Sequence, residues 1–330
     1  MKKIVVLGPI PRDYIVTHHG QTLKRYGAAL HTTIVLSKYL GDEGEVYQVS
    51  HVQKADKDAI DDILKPFANV NTDHISCEQD RGDVVSLRFV DQNKRLEKQT
   101  GFMPAITNED VDPLLDADAF VCVPITDYEV PLSTLRYIKE NSNAKIIYDA
   151  HGPTTGLATD GTRFLKFWAD RDRWLPFIDV LKMNREESRA SWFKNEYTLE
   201  ELAVEPLGDD HLDDFGEHCV KNGVKLVVIT LDENGAALYY KENESVVSNT
   251  VKPKKVAHVL DTTGCGDSFA GGLGYGIATD YSFIESIKLA NLAGAYRTQG
   301  NTFEVFNNLE NKQKELASYN ELLIEEAFEK

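Results

Sequence analysis

A chain of 330 residues with 42% hydrophobic content can bury a full α/β core, and no run approaches the ~20 apolar residues of a membrane span. A formal net charge of −17 argues against nucleic acid as a partner, because phosphate backbones are bound by basic surfaces. Cys77, Cys122, Cys219 and Cys265 show neither close pairing nor metal-type spacing, and Met1-Lys2-Lys3 leads into a strand too short for a signal peptide, so the expectation is a cytoplasmic protein with reduced thiols.

In chain order, Lys3-Ile4-Val5-Val6-Leu7 reads as a first strand, 30–40 as a helix ending at Gly41, 46–49 as a strand and 56–67 as a helix. Buried strands are expected at 119–123 and 145–148, with helical spacing at 131–140 between them. Further strands at 177–183 and 226–231 deliver Asn184-Arg185-Glu186-Glu187 and Asp232-Glu233-Asn234-Gly235 to their carboxyl ends. Alternating strand and helix predict a doubly wound, mainly parallel sheet with helices on both faces.

Two segments break the alternation. Residues 13–27 and 83–101 have hairpin-like patterns, the second with a turn at Asp91-Gln92-Asn93, and they predict a small separate β-sheet or a plain surface hairpin. The main domain is then 1–12, 28–82 and 102–330. The acidic stretch 194–214 reads as a solvated face without chemistry, and 310–330 as one polar amphipathic helix.

The most informative run is Asp261-Thr262-Thr263-Gly264-Cys265-Gly266-Asp267, followed by a small-residue helix. The amides of Gly264, Cys265 and Gly266 can face a common point at a helix N-terminus, which is an anion site. Asp267 falls in the first helical turn, where an acidic residue is either a cap or a group with chemical work. A carboxylate beside a phosphate cradle suggests phosphoryl transfer to a hydroxyl. From spacing alone, Asn184 and Glu187 are equally a capping box and a ligand pair at a strand end. Gly8-Pro9-Ile10-Pro11-Arg12-Asp13 has prolines where a dinucleotide-binding turn needs glycines.

The run 261–267 resembles the second signature of the ribokinase-like, or PfkB, carbohydrate kinases, with Cys265 in place of Ala the only departure. The resemblance implies Asp267 as catalytic base and Gly264, Cys265 and Gly266 as the anion hole. Asn184-x-x-Glu187 is similar to the family motif that orders Mg²⁺ and its waters, which assigns Asn184 to the nucleotide and Glu187 to the metal through water. Thr230 and Gly235 match the turn under the nucleotide, although Asp232 stands where relatives carry Gly, and Asn291 matches the helix that walls adenine. Asp261 and Thr263 are the family's position for a monovalent cation such as K⁺.

The N-terminal third departs more. Asp13 stands where relatives grip sugar hydroxyls, with Gly27 beside the substrate. Tyr26-Gly27-Ala28-Ala29-Leu30-His31 lacks one Gly and the Asn of the first signature, and Lys54-Ala55-Asp56 replaces Gly-x-Asp. His31 is either a hydroxyl contact or a satisfied structural histidine. The resemblance thus implies an ATP- and Mg²⁺-dependent kinase for a polyhydroxylated small molecule, with the small sheet as a lid and a homodimer contact. A nucleoside kinase and a non-catalytic ligand-binding relative stay open.

Overall fold

The computed structural model describes residues 1–17, 19–90, 95–192, 209–256 and 258–319. The first strand, β1 (Lys2–Leu7), leads into β2 (Arg12–Val16) and β3 (Thr22–Tyr26) before the first helix, α1 (Ala29–Leu40). The main layer resumes with β4 (Gly44–His51), α2 (Lys54–Leu64), β5 (Val70–Asn71) and β6 (Ile75–Ser76). The chain then leaves it again for β7 (Val84–Phe89) and β8 (Arg95–Gly101). Beyond α3 (Asn108–Val111) come β9 (Ala119–Cys122), α4 (Leu132–Asn141), β10 (Lys145–Asp149) and a hairpin of β11 (Thr155–Leu157) with β12 (Arg163–Leu165). The second half is β13 (Val180–Asn184), α5 (Arg185–Ser191), α6 (His211–Lys221), β14 (Leu226–Thr230), β15 (Ala236–Glu242), β16 (Ser245–Val251), α7 (Cys265–Ala278) and α8 (Phe283–Arg297).

The main sheet runs β16-β15-β14-β13-β10-β9-β1-β4-β5, with β6 also on β4. It is parallel from β14 to β5, and β15 and β16 add antiparallel strands at one edge. Its strands are apolar on both faces, as a sheet covered on both sides must be. Ile4, Val6 and Val121 face a core shared with α1, α7 and α8, whereas Val5, Leu7 and Phe120 face one shared with α3, α4 and α6. The doubly wound, mainly parallel architecture expected from the alternation is therefore present.

A separate four-stranded sheet, ordered β3-β2-β7-β8, stands off the main layer. Asp13 and Ile15 in β2 are buried while Tyr14 and Val16 are exposed, and Ile15, Val85 and Leu87 pack on Ala28 and Ile125 of the body. Some boundaries differ from the sequence expectation. The strand foreseen at 177–183 begins at Val180, because Leu175–Phe177 form a 3₁₀ turn with Pro176, which has no donor for a ladder. The single helix foreseen at 310–330 is a 3₁₀ run, Phe303–Asn311, followed by helix at 312–319. The rest of that helix, the turn at 91–93 and most of the acidic stretch lie outside the described residues.

Candidate active site

The parallel strands bring their carboxyl ends to one edge, where Asp149, His151, Asn184 and Thr230 emerge. Ligands collect at this edge of doubly wound sheets. Gly264 caps α7 in the left-handed conformation, φ 81°, and a Cβ there would sit 2.5 Å from His31 Cδ2. Only glycine meets both constraints. The Cys265 amide donates to the Thr262 carbonyl at 3.2 Å, so the orphan donors at the helix mouth are those of Gly266 and Asp267. Burial pushes the Cys265 thiol up to about 12, leaving it a neutral stand-in for alanine.

Asp267 is the third residue of α7, and its carbonyl accepts from Thr32 Oγ1 at 2.9 Å, pinning the helix mouth to α1. Desolvation raises its carboxyl above the ordinary range even though the Lys182 ammonium pulls the other way. Lys182 supplies the cation that sequence reading passed over. Its ammonium donates to Asp149 Oδ2 at 2.7 Å, is buried, and would lie 3.1 Å from a Cβ on Gly266, directly against the turn. Burial alone would lower it, but the carboxylates of Asp149 and Glu187 hold it raised and charged. The available signal was a lysine in a strand otherwise apolar on both faces.

Asn184 and Glu187 form a capping box: Asn184 Oδ1 accepts from the Glu187 amide at 2.8 Å, and Glu187 Oε2 from the Asn184 amide at 2.7 Å. Glu187 Oε1 also receives His151 Nδ1 at 2.9 Å, while Arg163 Nη2 lies 3.2 Å from His151 Nε2. A guanidinium only donates, so Nε2 accepts and Nδ1 carries the hydrogen to Glu187. Arg163 continues the chain to Glu97 and Gln99 of β8 at 3.0 and 2.6 Å, linking the small sheet to Glu187. Burial would raise Glu187, but the His151 hydrogen bond and Lys182 hold it lowered and ionised. No group of three His, Cys, Asp or Glu side chains among the described residues is placed to hold a metal. With both Glu187 oxygens occupied, the donor set fits Mg²⁺ bound through waters and phosphate oxygens rather than in a protein cage.

Thr230 pairs in register with Asn184, and its hydroxyl lies 3.5 Å from the Met183 carbonyl. Asp232 adopts φ 53°, the left-handed conformation that its relatives' Gly would take freely, and Asp tolerates it. Gly235, φ 90°, would bring a Cβ to 2.1 Å from the Val251 carbonyl, so it serves the packing of this turn. Asn291 meets the same 251–253 segment from α8: its amide donates to the Lys252 carbonyl at 3.1 Å and to Tyr319 Oη at 3.0 Å.

Asp13, Gly27, His31, Thr263 and Arg297 line one cavity of about 270 Å³. The Asp13 carboxylate would lie 2.6 Å from a Cβ on Gly27. Burial, then the charge of Asp267, push Asp13 up to about 8. His31 is buried on α1 with Nδ1 unpartnered, and burial followed by the nearby Arg297 takes it down to about 3, so the ring is neutral. It packs beneath Gly264 and against Phe303, 5.2 Å between ring centroids. Asp261 Oδ1 accepts from the Thr263 amide at 2.9 Å, and Oδ2 receives both Arg25 of β3 and Arg297 of α8 at 3.0 Å. These two arginines were not legible as site residues, since each comes from a distant element.

Residues 1–302 match the pattern of the pfkB family carbohydrate kinases. The chain superposes on a pyrophosphate-dependent kinase in the ribokinase family with a TM-score of 0.74 at 15% identity, covering 92% of this chain and 98% of that one. On Arabidopsis thaliana ribokinase complexed with ribose and ATP the TM-score is 0.68 at 18% identity, covering 96% and 98%. Such identities speak for the fold alone. The bifunctional protein HldE of Campylobacter curvus is 39% identical over 72 residues, 22% of this chain and 14% of that protein. The chain spans under a third of the length of the curated relatives it matches. On the match across residues 1–302, in agreement with the doubly wound sheet and the glycine turn at its edge, the chain belongs to the pfkB family of carbohydrate kinases.

Proposed function

We propose that this protein transfers a phosphoryl group from ATP to a hydroxyl of a sugar or sugar-like polyol. The observation that carries the reading is the conjunction at the mouth of α7: Asp267 beside glycyl amides, with the buried Lys182 ammonium against Gly266. Asp13 and Gly27 hold the acceptor, with His31 closing the same cavity. As the acceptor oxygen bonds to phosphorus, Asp267 takes its proton, and the bond to the nucleoside diphosphate breaks. The orphan amides at the mouth of α7, with Lys182 against the turn, stabilise charge on the group in flight.

Asn184, Thr230, Gly235 and Asn291 are the proposed nucleotide contacts. Asn184 and Glu187 would hold Mg²⁺ through its waters, and that ion, when bound, neutralises phosphate charge. The small sheet acts as a lid that keeps water from the transfer, and its exposed Tyr14, Val16 and Leu96 suit a homodimer contact. A coupled assay across sugars, cyclitols and nucleosides, with Asp267→Asn as the control, tests the reading. It fails if no acceptor stimulates donor consumption, or if the variant turns over like the parent.

A second reading of the donor is favoured by one contact. Asn291, the residue matched to the adenine wall, has its amide bound to Lys252 and Tyr319. A donor without a base, such as the pyrophosphate named for one structural neighbour, needs no such wall. Parallel assays with ATP and pyrophosphate separate the two.

A further inference from the structure

The position that the family resemblance reserves for a monovalent cation does not fit one in this chain. A bare cation needs several converging oxygens with spare negative charge. Here Asp261 Oδ2 already accepts from Arg297 Nη2 at 3.0 Å and from Arg25 Nη1 at 3.0 Å, and Asp261 Oδ1 from the Thr263 amide. The carbonyl of Gly300, an oxygen at the same corner, accepts from Arg297 Nη1 at 2.6 Å. One guanidinium thus bridges the two oxygens, and its side chain is only 4% exposed. Arginine is always charged, so a second cation entering this corner would meet a fixed like charge.

The surroundings show what this charge does. The backbone at Leu260 and Asp261 is tied to the Thr298 carbonyl, 2.8 and 3.4 Å, so the loop before the turn is stitched to the end of α8 that carries Arg297. Asp261 then orients the Thr263 amide, and Gly264 follows at once. Arg25 reaches the same carboxylate from β3, so the small sheet is tied to the turn through this one group.

We infer that Arg297 is the resident cation of the phosphate-binding turn, a positioning residue that acts through Asp261, and that the protein therefore works without K⁺. The role assigned to the turn rests on the kinase reading above; the occupancy of the corner does not.

The test has two readouts. Melting temperature and kcat/KM are measured in KCl, NaCl and tetramethylammonium chloride at equal ionic strength, for the parent protein, Arg297→Met and Arg297→Lys. The parent should respond alike to all three salts. Arg297→Met should lose about 10²-fold in kcat/KM from a misplaced turn, with KCl alone restoring part of the rate and raising its melting temperature. Arg297→Lys should keep more activity than Arg297→Met. A parent protein stabilised or activated selectively by KCl overturns the inference, and this arm needs no variant to fold. A folded Arg297→Met with parental rate, or with a loss that neither KCl nor Arg297→Lys relieves, overturns the positioning role. Should no acceptor be phosphorylated at all, the melting data still decide the cation question, so failure here is distinct from failure of the kinase reading.

Discussion

The two walls of the candidate site are built by different means. The wall at 261–267 is backbone: a left-handed glycine, amides at a helix mouth and a carboxylate three residues into the helix. The wall around Asp13 is side chain, drawn from β2, β3, α1 and α8, and it contains the long groups Arg25 and Arg297. A backbone cradle recognises what all phosphate donors share, and it needs a contiguous motif. A side-chain wall recognises what distinguishes one acceptor from another, and its residues are free to come from anywhere in the chain. The contrast explains how a chain of net charge −17 can hold Lys182, Arg163, Arg25 and Arg297 around one edge of its sheet.

The sharpest break of the backbone wall is Asp267→Asn, which keeps size and most hydrogen bonding but removes the proton acceptor. Turnover should fall by roughly 10²–10⁴, the usual worth of a general base, with nucleotide affinity nearly intact. Single-turnover rates beside equilibrium nucleotide binding check both halves. Loss of binding with rate preserved at saturation would show that Asp267 only caps the helix.

Lys182→Met attacks the same wall from beneath. Removing one partner of a buried pair leaves Asp149 uncompensated, at a cost of about 3–5 kcal/mol in stability. Adding Asp149→Asn should return most of that stability, because the orphaned charge is gone, while activity stays low. Recovery of both together would mean that the ammonium serves the fold and not the phosphate.

How legible these walls were follows from their construction. The main sheet could be read from apolar runs such as Ile4–Leu7 and their alternation with helical spacing, since each element declares itself locally. The turn at 261–267 was legible for the same reason. Lys182 carried a local signal too, a charge inside an apolar strand. Arg25 and Arg297 carried none: the first reads as a polar strand residue and the second as a basic residue in the last turn of a helix, which the helix dipole already accounts for. Only the fold brings them to Asp261. The sequence supports two readings of His31, and burial with a neutral ring beneath Gly264 favours packing under the turn.

The side-chain wall is sharpened by pH. Asp13, held near 8 in the folded protein against about 4 in the unfolded chain, keeps a proton that the unfolded chain releases between these values. Its contribution to stability is therefore fully present below about pH 4 and is lost as pH rises toward 8. Hydroxyls donated by an acceptor favour the ionised carboxylate, so acceptor binding should release a proton, and KM should fall as pH rises from 6 to 8. Calorimetry in two buffers of different ionisation enthalpy reads the proton directly. Asp13→Asn should abolish both the release and the slope, and an unchanged slope would move the titration to another group.

The smallest expected effect lies in the chain that ties the small sheet to the strand edge, through Glu187, His151, Arg163 and Glu97. Glu187→Gln removes one negative charge but retains an acceptor for the Asn184 amide, so the capping box survives in part and stability should fall by about 1 kcal/mol or less. If Glu187 orders the waters of Mg²⁺, the concentration of that ion needed for half-maximal rate should rise, while kcat at saturating Mg²⁺ changes little. His151→Phe keeps the Glu187 carboxylate but removes its hydrogen bond from His151 together with the link to Arg163, so it should shift the Mg²⁺ titration less than Glu187→Gln and loosen the small sheet. A magnesium titration of each variant beside its melting curve distinguishes a metal role from a capping role. Should Glu187→Gln lower the melting temperature and leave the titration unmoved, Glu187 belongs to the helix start alone, and the ion is held by phosphates without it.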